Sequence, residues 1–341
     1  MIVEDKKRYN VHDVARAAGV SSMTVTRVFN DSAPVAAATR EKVMAVAKKL
    51  NYRPSRMART LRQGRSNSIG LLWSLSGPHD SAGVVRKMTQ LISQAGYVTY
   101  LTDTMSDPTL VKNCLSDLIE RKVDGVIIQV PTDEANINRY DPLLREIGKV
   151  VVVAGNKPEK KLTYDYIRRN LYYAIDDCMT LLFKSGCRRI ALLYSHQKKL
   201  DYLKSFFSGK KYEDCISYCK VLGDHQKIGY HVFPDSLEKY WNDKQPFDAI
   251  CCSCDEGAAR VINLLHDKGL KVPDDVAVCG MNNTLITECF RPQIASIDRK
   301  NSETAETAAK MLLNRIKHPE IEPQFAEIRM EFLPRESAGL K

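Results

Sequence analysis

Apolar residues recur at helical spacing three times within the first fifty positions. The three stripes are Val11, Val14, Ala15 and Ala18; Val25, Val28 and Phe29; and Val43, Val46, Ala47 and Leu50. Asn10 stands where it can cap the first helix, and Ser21 where it can cap the second. Gly19 between them permits a tight turn. Two short helices joined by a glycine-containing turn and braced by a third predict a helix-turn-helix.

The outward face of the second helix carries polar or extended side chains. A helix that enters the major groove needs outward side chains that can reach base edges without bulk. Arg27 suits paired hydrogen bonds to a guanine, and Met23 suits contact with a thymine methyl group. We predict that the DNA-contacting residues of this module are Asn10, Ser21, Ser22, Met23, Thr24, Thr26, Arg27 and Asn30. A three-helix bundle that merely has a polar surface is the alternative.

The next stretch, "NYRPSRMARTLRQGRSNS", predicts a short basic helix. Pro54 can begin it, Gly64 can end it, and an arginine recurs at every third position from 53 to 65. So short a helix is marginal alone in water, so we expect it to form on DNA. The predicted contacts are Arg56 and Arg59 with phosphates, and Ala58 and Leu61 with the minor groove, where a leucine can wedge between base steps. An ordinary basic linker is the alternative.

Beyond residue 66 the pattern changes to short β-rich runs separated by helical stretches. The runs are "SIGLLWSL", "YVTYLT", "VDGVIIQV", "KVVVVAG", "RRIALLYS", "ISYCKVL", "FDAICCSC" and "DVAVCGMN", with helices expected around 81–95, 108–121 and 134–147. This alternation predicts two doubly wound, parallel-sheet α/β lobes with a cleft between them. Ligands of such sheets bind outside the carboxyl ends of the strands. We predict a headpiece at 1–52, a hinge at 53–66 and a two-lobed domain at 67–341.

Positive charge is concentrated at the N-terminus. The chain of 341 residues has a net charge of +10, and positions 1–66 alone hold 14 Lys/Arg against 5 Asp/Glu. A basic module joined to a nearly neutral domain favours binding of an anionic polymer by the former. A solvated basic tail would carry the same charge.

The remaining composition predicts a cytoplasmic protein without cofactor, metal or membrane partner. No run of 18 apolar residues occurs, and ten scattered cysteines fit a reducing compartment better than a disulfide framework. "DAICCSC" reads as a buried strand, and the spacing C-x3-C-x5-H-x5-H from Cys215 matches no common zinc template. No phosphate-binding glycine loop, nucleophile elbow or zinc-protease motif is present, so we expect no enzymatic activity.

"VHDVARAAGVSSMTVTRVFN" followed by "TREKVMAVAKKLNYRPSRMARTL" resembles the DNA-binding headpiece and hinge of the LacI/GalR family of bacterial transcription regulators, over residues 9–62. The resemblance implies an all-α helix-turn-helix headpiece and a periplasmic-binding-protein-like effector domain. It also implies a homodimer on a palindromic operator, and the absence of a leucine-heptad tail argues against a tetramer. Lobe crossings are expected near residues 162, 292 and 325. Ala36 departs from the serine usual at the third helix's cap.

The cleft departs further from the sugar-binding pattern of the family. Members that bind sugars usually present an aspartate after the fourth strand, an arginine, an Asn-Asp pair and a late G-Y-D-D. Those places here hold Ala154 or Gly155, no arginine, Cys254-Asp255 and Gly280-Met281-Asn282-Asn283. Lysines lie nearby in the sequence, which favours a sugar acid or sugar phosphate over a neutral hexose. The predicted effector contacts are Asp80, Ser81, Gln129, Lys204, Phe233, Asp255 and Asn283.

Several of these residues have a structural alternative. Phe233 could stack on a ligand ring or fill the core, and Asp255 could bind ligand or cap the helix that begins there. The resulting prediction is a dimeric transcriptional repressor whose operator affinity responds to a small molecule in the cleft. The alternative is a constitutive or architectural DNA-binding protein with a ligand-free cleft. The pattern leaves open whether the ligand acts as inducer or corepressor.

Overall fold

The chain forms two compact units, Met1–Asn67 and Ser68–Lys341. The computed structural model describes residues 9–30, 33–52, 65–75, 80–105, 107–130, 137, 139–155, 163–194, 197–221, 232–240 and 246–339, with the backbone alone at 30, 80, 81, 197–199, 202 and 232. Among the helices in these ranges, none has both the length and the apolar composition needed to cross a bilayer.

The N-terminal unit is built from three helices. They are α1 (Val11–Ala18), α2 (Ser22–Asn30) and α3 (Ala37–Lys49). The predicted apolar stripes meet in one small core, in which Val14, Val25 and Val43 are fully buried. The helical periodicity of the sequence therefore predicted both the elements and the face that each one buries.

The second unit contains two six-stranded sheets. The first has the order β11-β5-β4-β3-β1-β2 and is parallel throughout, with β1 (Ser68–Trp73), β2 (Val98–Asp103), β3 (Gly125–Gln129), β4 (Val150–Ala154), β5 (Asp165–Asn170) and β11 (Phe325–Arg329). The second has the order β12-β10-β9-β8-β6-β7, with β6 (Ile190–Tyr194), β7 (Ile216–Lys220), β8 (Ala249–Cys251), β9 (Ala277–Met281), β10 (Ala295–Asp298) and β12 (Glu331–Leu333). Only β12 runs antiparallel to its partner among these strands.

Helices connect the strands and cover both sheets. They are α4 (Asp80–Gln94), α5 (Pro108–Glu120), α6 (Asp141–Ile147), α7 (Tyr172–Lys184), α8 (Gln197–Phe207), α9 (Val232–Glu238), α10 (Asp255–Asp267), α11 (Ile286–Cys289) and α12 (Asn301–Lys317). The predicted alternation of strands and helices is confirmed, as are the two parallel-dominated lobes. The helix expected around 134–147 is described only over α6, since 131–136 lie outside the described residues.

The chain passes between the lobes three times, later at each point than predicted. It crosses after Asn170 instead of near 162, after Asp298 instead of near 292, and at Met330 instead of near 325. Each shift arises because a short strand keeps the chain in the lobe that it was expected to leave. β5 reads "DYIRRN", in which charged residues hide the strand from an apolar pattern.

A buried ion pair fastens α12 to the first sheet. The guanidinium of Arg315 donates to both carboxylate oxygens of Asp165, at 3.0 Å from Nε and 2.7 Å from Nη2. Arg315 also donates to the carbonyl of Glu322, and Asp165 accepts the backbone N–H of Gln324. Because the Asp165 side chain is fully buried, these bonds replace the water that its charge would otherwise require.

Candidate DNA-binding and effector sites

A reciprocal hydrogen-bond pair begins α1. The side chain of Asn10 accepts from the backbone N–H of His12 at 2.8 Å and of Asp13 at 3.2 Å. The carboxylate of Asp13 accepts the backbone N–H of Asn10 at 2.9 Å. This capping box satisfies N–H groups that the first helical turn leaves without partners. The predicted cap is confirmed, and any DNA contact by Asn10 must be made while its side chain is engaged in it.

The turn between α1 and α2 is fixed by one glycine and one serine. Gly19 adopts a φ of +64°, in the left-handed region that a residue with a side chain rarely occupies. Ser21 then caps α2, because its hydroxyl accepts the backbone N–H of Thr24 at 3.1 Å. The hydroxyls of Ser21 and Thr24 also lie 2.9 Å apart. The start of α2 is therefore held in one orientation relative to α1.

Met23 and Arg27 project from the exposed face of α2. Met23 is 62% exposed, and the Arg27 guanidinium lies 3.6 Å from its sulfur. Thr26 is half-buried and donates its hydroxyl to the carbonyl of Ser22 at 2.9 Å. The Met23 and Arg27 side chains thus extend away from the helix, whereas the Thr26 hydroxyl is hydrogen-bonded to the backbone of the same helix. Their contacts with DNA stay predictions, as does the role of Asn30, whose side chain is not described.

The third helix braces α2 despite lacking a side-chain cap. Ala36 makes no capping hydrogen bond at the start of α3. Arg40 of α3 donates to the carbonyl of Val28 at 3.2 Å, which ties α3 to the last turn of α2. Phe29 and Tyr52 pack edge to face, with ring centroids 5.6 Å apart. The hinge residues Arg56, Ala58, Arg59 and Leu61 lie outside the described residues and remain predictions.

In the first lobe, side chains at the carboxyl ends of the strands hold the connecting loops. Gln129 ends β3, and its side-chain oxygen accepts the backbone N–H of Ser74 after β1 at 3.0 Å. Asp103 ends β2 and accepts the backbone N–H of Leu75 at 3.0 Å. Asp80 and Ser81 begin α4, where only their backbone is described. Gln129 therefore lies at the predicted edge, although its oxygen is already engaged.

In the second lobe, Asp255 joins the ends of two strands. It is fully buried, and one carboxylate oxygen accepts the hydroxyl of Ser296 at 2.6 Å. The other accepts the backbone N–H of Thr284 at 2.7 Å and the Thr284 hydroxyl at 3.0 Å. Burial nevertheless raises the pKa of Asp255 to about 6. Gly280 permits this arrangement, because a Cβ there would lie 2.4 Å from the Asp255 carboxylate.

Asp255 neither caps its helix nor faces open space in this arrangement. The sulfur of Cys254 accepts the backbone N–H of Gly257 and so occupies the capping position of α10. Asn283 is tied down in a similar way, since its side-chain oxygen accepts from Arg335 at 2.7 Å. Both predicted ligand contacts therefore lie at the carboxyl ends of strands, where they hold the frame of the site.

Phe233 and Lys204 do not join the other candidates. Phe233 of α9 is fully buried, and its ring lies 2.8 Å from where a Cβ of Gly257 would stand. This placement corrects the expectation of a ring that stacks on a ligand, because the ring fills the core above α10. The Lys204 ammonium lies 5.9 Å from the ring centroid of Tyr218 in β7, the strand at the sheet edge opposite β12. Lys204 is thus set apart from Asp255 and Asn283.

The comparisons with known proteins agree with this architecture. Residues 10–55 match the family model of bacterial regulatory proteins of the lacI family, and residues 180–338 match a periplasmic binding protein-like domain. The chain therefore joins a segment of the lacI-family type to a periplasmic binding protein-like domain. The "HTH-type transcriptional repressor PurR" of Histophilus somni (strain 129Pt) is 28% identical over 333 residues, which cover 96% of this chain and 98% of that protein.

Two solved structures share the fold over nearly the whole chain. The Lac repressor bound to ONPG in its repressed state superposes with a TM-score of 0.82 at 21% identity, covering 97% of this chain and 100% of the other. A complex of the transcriptional regulator CelR with cellobiose gives a TM-score of 0.63 at 24% identity, with coverage of 97% and 100%. At these identities the likeness shows the fold and does not assign a ligand.

Three further residues at the second lobe's strand ends were not predicted. Buried polar atoms without a hydrogen-bond partner among the described residues include Ser253 Oγ, Glu256 Oε2 and Asn282 Nδ2. Ser253 follows β8, Glu256 lies in the first turn of α10, and Asn282 follows β9. Such atoms are rare in folded proteins, because an unpaired buried polar group is costly. "GMNN" contains both Asn282 and Asn283, and its pattern does not distinguish between them.

Proposed function

We propose that this chain is a transcriptional repressor that binds a palindromic operator as a homodimer and changes its DNA affinity when a small molecule binds the effector domain. The observation that carries the proposal is the pairing of two units in one chain. One unit is a helix-turn-helix with Met23 and Arg27 on its exposed face, and the other has two mainly parallel sheets with polar side chains at their strand ends. The match of residues 10–55 to the lacI family model and the similarity to named repressors support the same function.

DNA reading is assigned chiefly to Arg27. An exposed arginine on a major-groove helix pairs with two acceptors of a guanine, and that pairing discriminates by about 1–3 kcal/mol against the wrong base. Ser22 at the start of α2 is assigned to base reading with Arg27, while the hydroxyls of Ser21 and Thr24 are assigned to phosphate contacts, which position the helix without reading sequence. Removal of Arg27 should therefore cost more on the operator than on unrelated DNA.

The experiment begins with selection of bound fragments from random DNA by the full-length chain. Fluorescence anisotropy then compares the selected operator with random duplex for wild type, Arg27→Ala and the control Arg16→Ala. Arg16 carries the same charge in the last turn of α1. Arg27→Ala should lose about 1–3 kcal/mol on the operator and less on random DNA. Equal losses on both duplexes, or an equal loss in Arg16→Ala, would contradict base reading by Arg27.

Homodimerisation is supported by the β2 edge of the first sheet. Among the strands that the structure describes, β2 is the last of that sheet, and Tyr100, Leu101 and Met105 on or beside it are exposed. An exposed edge strand with apolar side chains readily pairs with another chain. Two symmetric headpieces would also read a palindrome, with Leu61 of each hinge at the central step. Light scattering of the full-length chain at micromolar concentration should give a dimer, and a monomer or a tetramer would refute this part.

The effector is assigned to the class of sugars and their derivatives. Ser253 and Asn282 offer donors and Glu256 an acceptor at the carboxyl ends of β8 and β9. Mixed donors and acceptors suit vicinal hydroxyls, which both give and receive hydrogen bonds. Because Lys204 lies at the far edge of the sheet, it no longer favours an anionic ligand over a neutral one. The cellobiose complex of CelR shows this ligand class on the same fold.

A thermal-shift screen of the full-length chain separates the ligand classes. Neutral sugars, sugar acids, sugar phosphates and nucleobases form the panel, since the chain also resembles a repressor named PurR. A ligand at one hundred times its Kd should raise stability by about 2.7 kcal/mol. Asn282→Ala should weaken the shift, whereas Lys204→Ala should leave it unchanged. A panel without any shift would favour a DNA-binding protein whose cleft binds no ligand.

A further inference from the structure

Three cysteine thiols converge inside the second lobe, on the side of its sheet that α7 covers. Cys178 projects from α7, while Cys251 and Cys279 lie opposite each other on the parallel strands β8 and β9. The three Sγ atoms all lie within 4.8 Å of one another. The first two positions are 73 residues apart in the printed chain, so only the fold brings these thiols together. No cysteine-spacing motif in the sequence predicts the cluster.

The spacing fits three sulfur ligands around one central atom. Sulfur–metal bonds of about 2.3 Å place three sulfurs about 4.0 Å apart around an ion in their plane, and closer together around an ion with a lone pair that lies above the plane. The observed limit of 4.8 Å requires only small rotations of the cysteine side chains. Thiolates select soft ions over hard ones. The geometry is therefore that of a three-coordinate thiolate site.

The surroundings are apolar, and they restrict the charge of the ion. Cys178 and Cys279 are buried in a core cluster with Ile175, Met179 and Leu182. Three thiolates around a monovalent or divalent ion would bury a net negative charge, which is costly in apolar surroundings. A trivalent ion gives a neutral complex.

We propose that Cys178, Cys251 and Cys279 form a binding site for a soft trivalent metalloid, of which arsenite is the probe. Arsenous acid would exchange three As–O bonds for three As–S bonds. Each thiol proton would leave with a hydroxide as water, and no atom would change its oxidation state. Cys251 is only partly buried and ends β8 next to the carboxyl edge of the sheet, which provides the path of entry.

Binding would join α7 covalently to the two central strands that precede the effector residues. Cys251 lies two residues before Ser253, and Cys279 lies three residues before Asn282. The site is nevertheless distinct from the proposed effector site, because its ligands are thiols that face the α7 side of the sheet. The inference does not depend on the proposed function, so each can fail without the other.

The test uses the full-length chain, reduced with a phosphine in the absence of added thiols and titrated with arsenite. X-ray absorption at the arsenic edge should show three sulfur neighbours and no oxygen. Native mass spectrometry should show one arsenic per chain with the loss of three protons. An arsenic that retains a hydroxide on two thiols would overturn the three-cysteine site, as would binding that engages no thiol.

Cysteine variants test which thiols bind the arsenic. Cys251→Ser should abolish three-sulfur coordination, and so should Cys178→Ala and Cys279→Ser, whereas Cys289→Ser at an exposed position should retain it. Retention of three sulfurs in Cys251→Ser would place the arsenic elsewhere and refute the proposal. Thermal melting checks that each variant folds, and the wild-type spectrum decides the coordination even where a variant does not. Stoichiometric zinc or copper(I) at the same thiols, with no arsenite bound, would overturn the trivalent assignment.

Discussion

Each of the two units of this protein is stabilised internally by polar contacts, and these contacts differ in how far apart their partners lie along the chain. In the N-terminal unit, the bonds that fix the helix starts join neighbours, as between Asn10 and Asp13 or Ser21 and Thr24. In the second unit, the decisive bonds join distant residues. Asp165 pairs with Arg315, which is 150 positions away, and Asp255 accepts from Ser296 across 41 positions.

This difference explains where each unit places its function. A small domain with local caps keeps its outward face free, so Met23 and Arg27 can be exposed without weakening the core. In the larger unit, buried polar residues form hydrogen bonds that link strand ends to one another. There a polar side chain at the expected position can hold the frame, as Asp255 and Asn283 do, and the ligand contacts proposed above are neighbours such as Asn282.

The strongest test of the long-range contacts is the ion pair of α12. Arg315→Ala should lower the free energy of unfolding of the second unit by about 3–5 kcal/mol, because Asp165 would keep a buried charge without its partner. Arg145→Ala is the matched control. Its ion pair with Asp141 lies at i,i+4 on an exposed helix and should contribute below about 1 kcal/mol. Denaturant unfolding measures both, and comparable losses would show that range and burial do not matter here.

The next effect concerns the pH dependence of stability. Burial raises the pKa of Asp255 to about 6 from its ordinary value of 3.8. The folded state therefore holds a proton that the unfolded state releases between pH 4 and 6, and stability falls as pH rises through this interval. With 1.36 kcal/mol per pKa unit, the loss is about 3 kcal/mol by pH 7.

Asp255→Asn isolates this contribution, since carboxylates with lowered pKa values, such as Asp248, change stability in the opposite direction. The difference in unfolding free energy between wild type and Asp255→Asn should fall by about 2.4 kcal/mol from pH 4 to pH 7, since part of the full change lies below pH 4. Chemical denaturation at both pH values measures it. A difference that is independent of pH would mean that Asp255 is ionised at its ordinary pKa.

The smallest expected effect concerns the N-terminal unit alone. Ala36→Ser should stabilise α3 by about 1 kcal/mol, because a hydroxyl at that position can accept an N–H that Ala36 leaves uncapped. Thermal unfolding followed by circular dichroism measures the gain, with Ala38→Ser inside the helix as the control. An equal change in both variants would assign the effect to composition and not to capping.

The sequence predicted the elements better than the contacts between them. Helical periodicity and local caps identified α1, α2 and Gly19, because each depends on residues within one or two turns. The crossing points were placed too early, since β5 is a strand by virtue of its pairing with β4 and β11 and not by its composition. The thiol cluster and the ion pair of Arg315 join elements far apart in the chain, so no local pattern contains them.

Ligand-dependent operator binding tests the central claim most directly. The full-length chain is titrated onto its selected operator with and without a sugar that gives a thermal shift, and the two dissociation constants are compared. A ligand that favours one lobe arrangement by about 1–3 kcal/mol should change operator affinity roughly 5- to 150-fold. Asn282→Ala should reduce the ligand's effect without changing ligand-free DNA binding. An operator affinity that no bound ligand alters would contradict the account, because the effector domain would then exert no control over the DNA-binding unit.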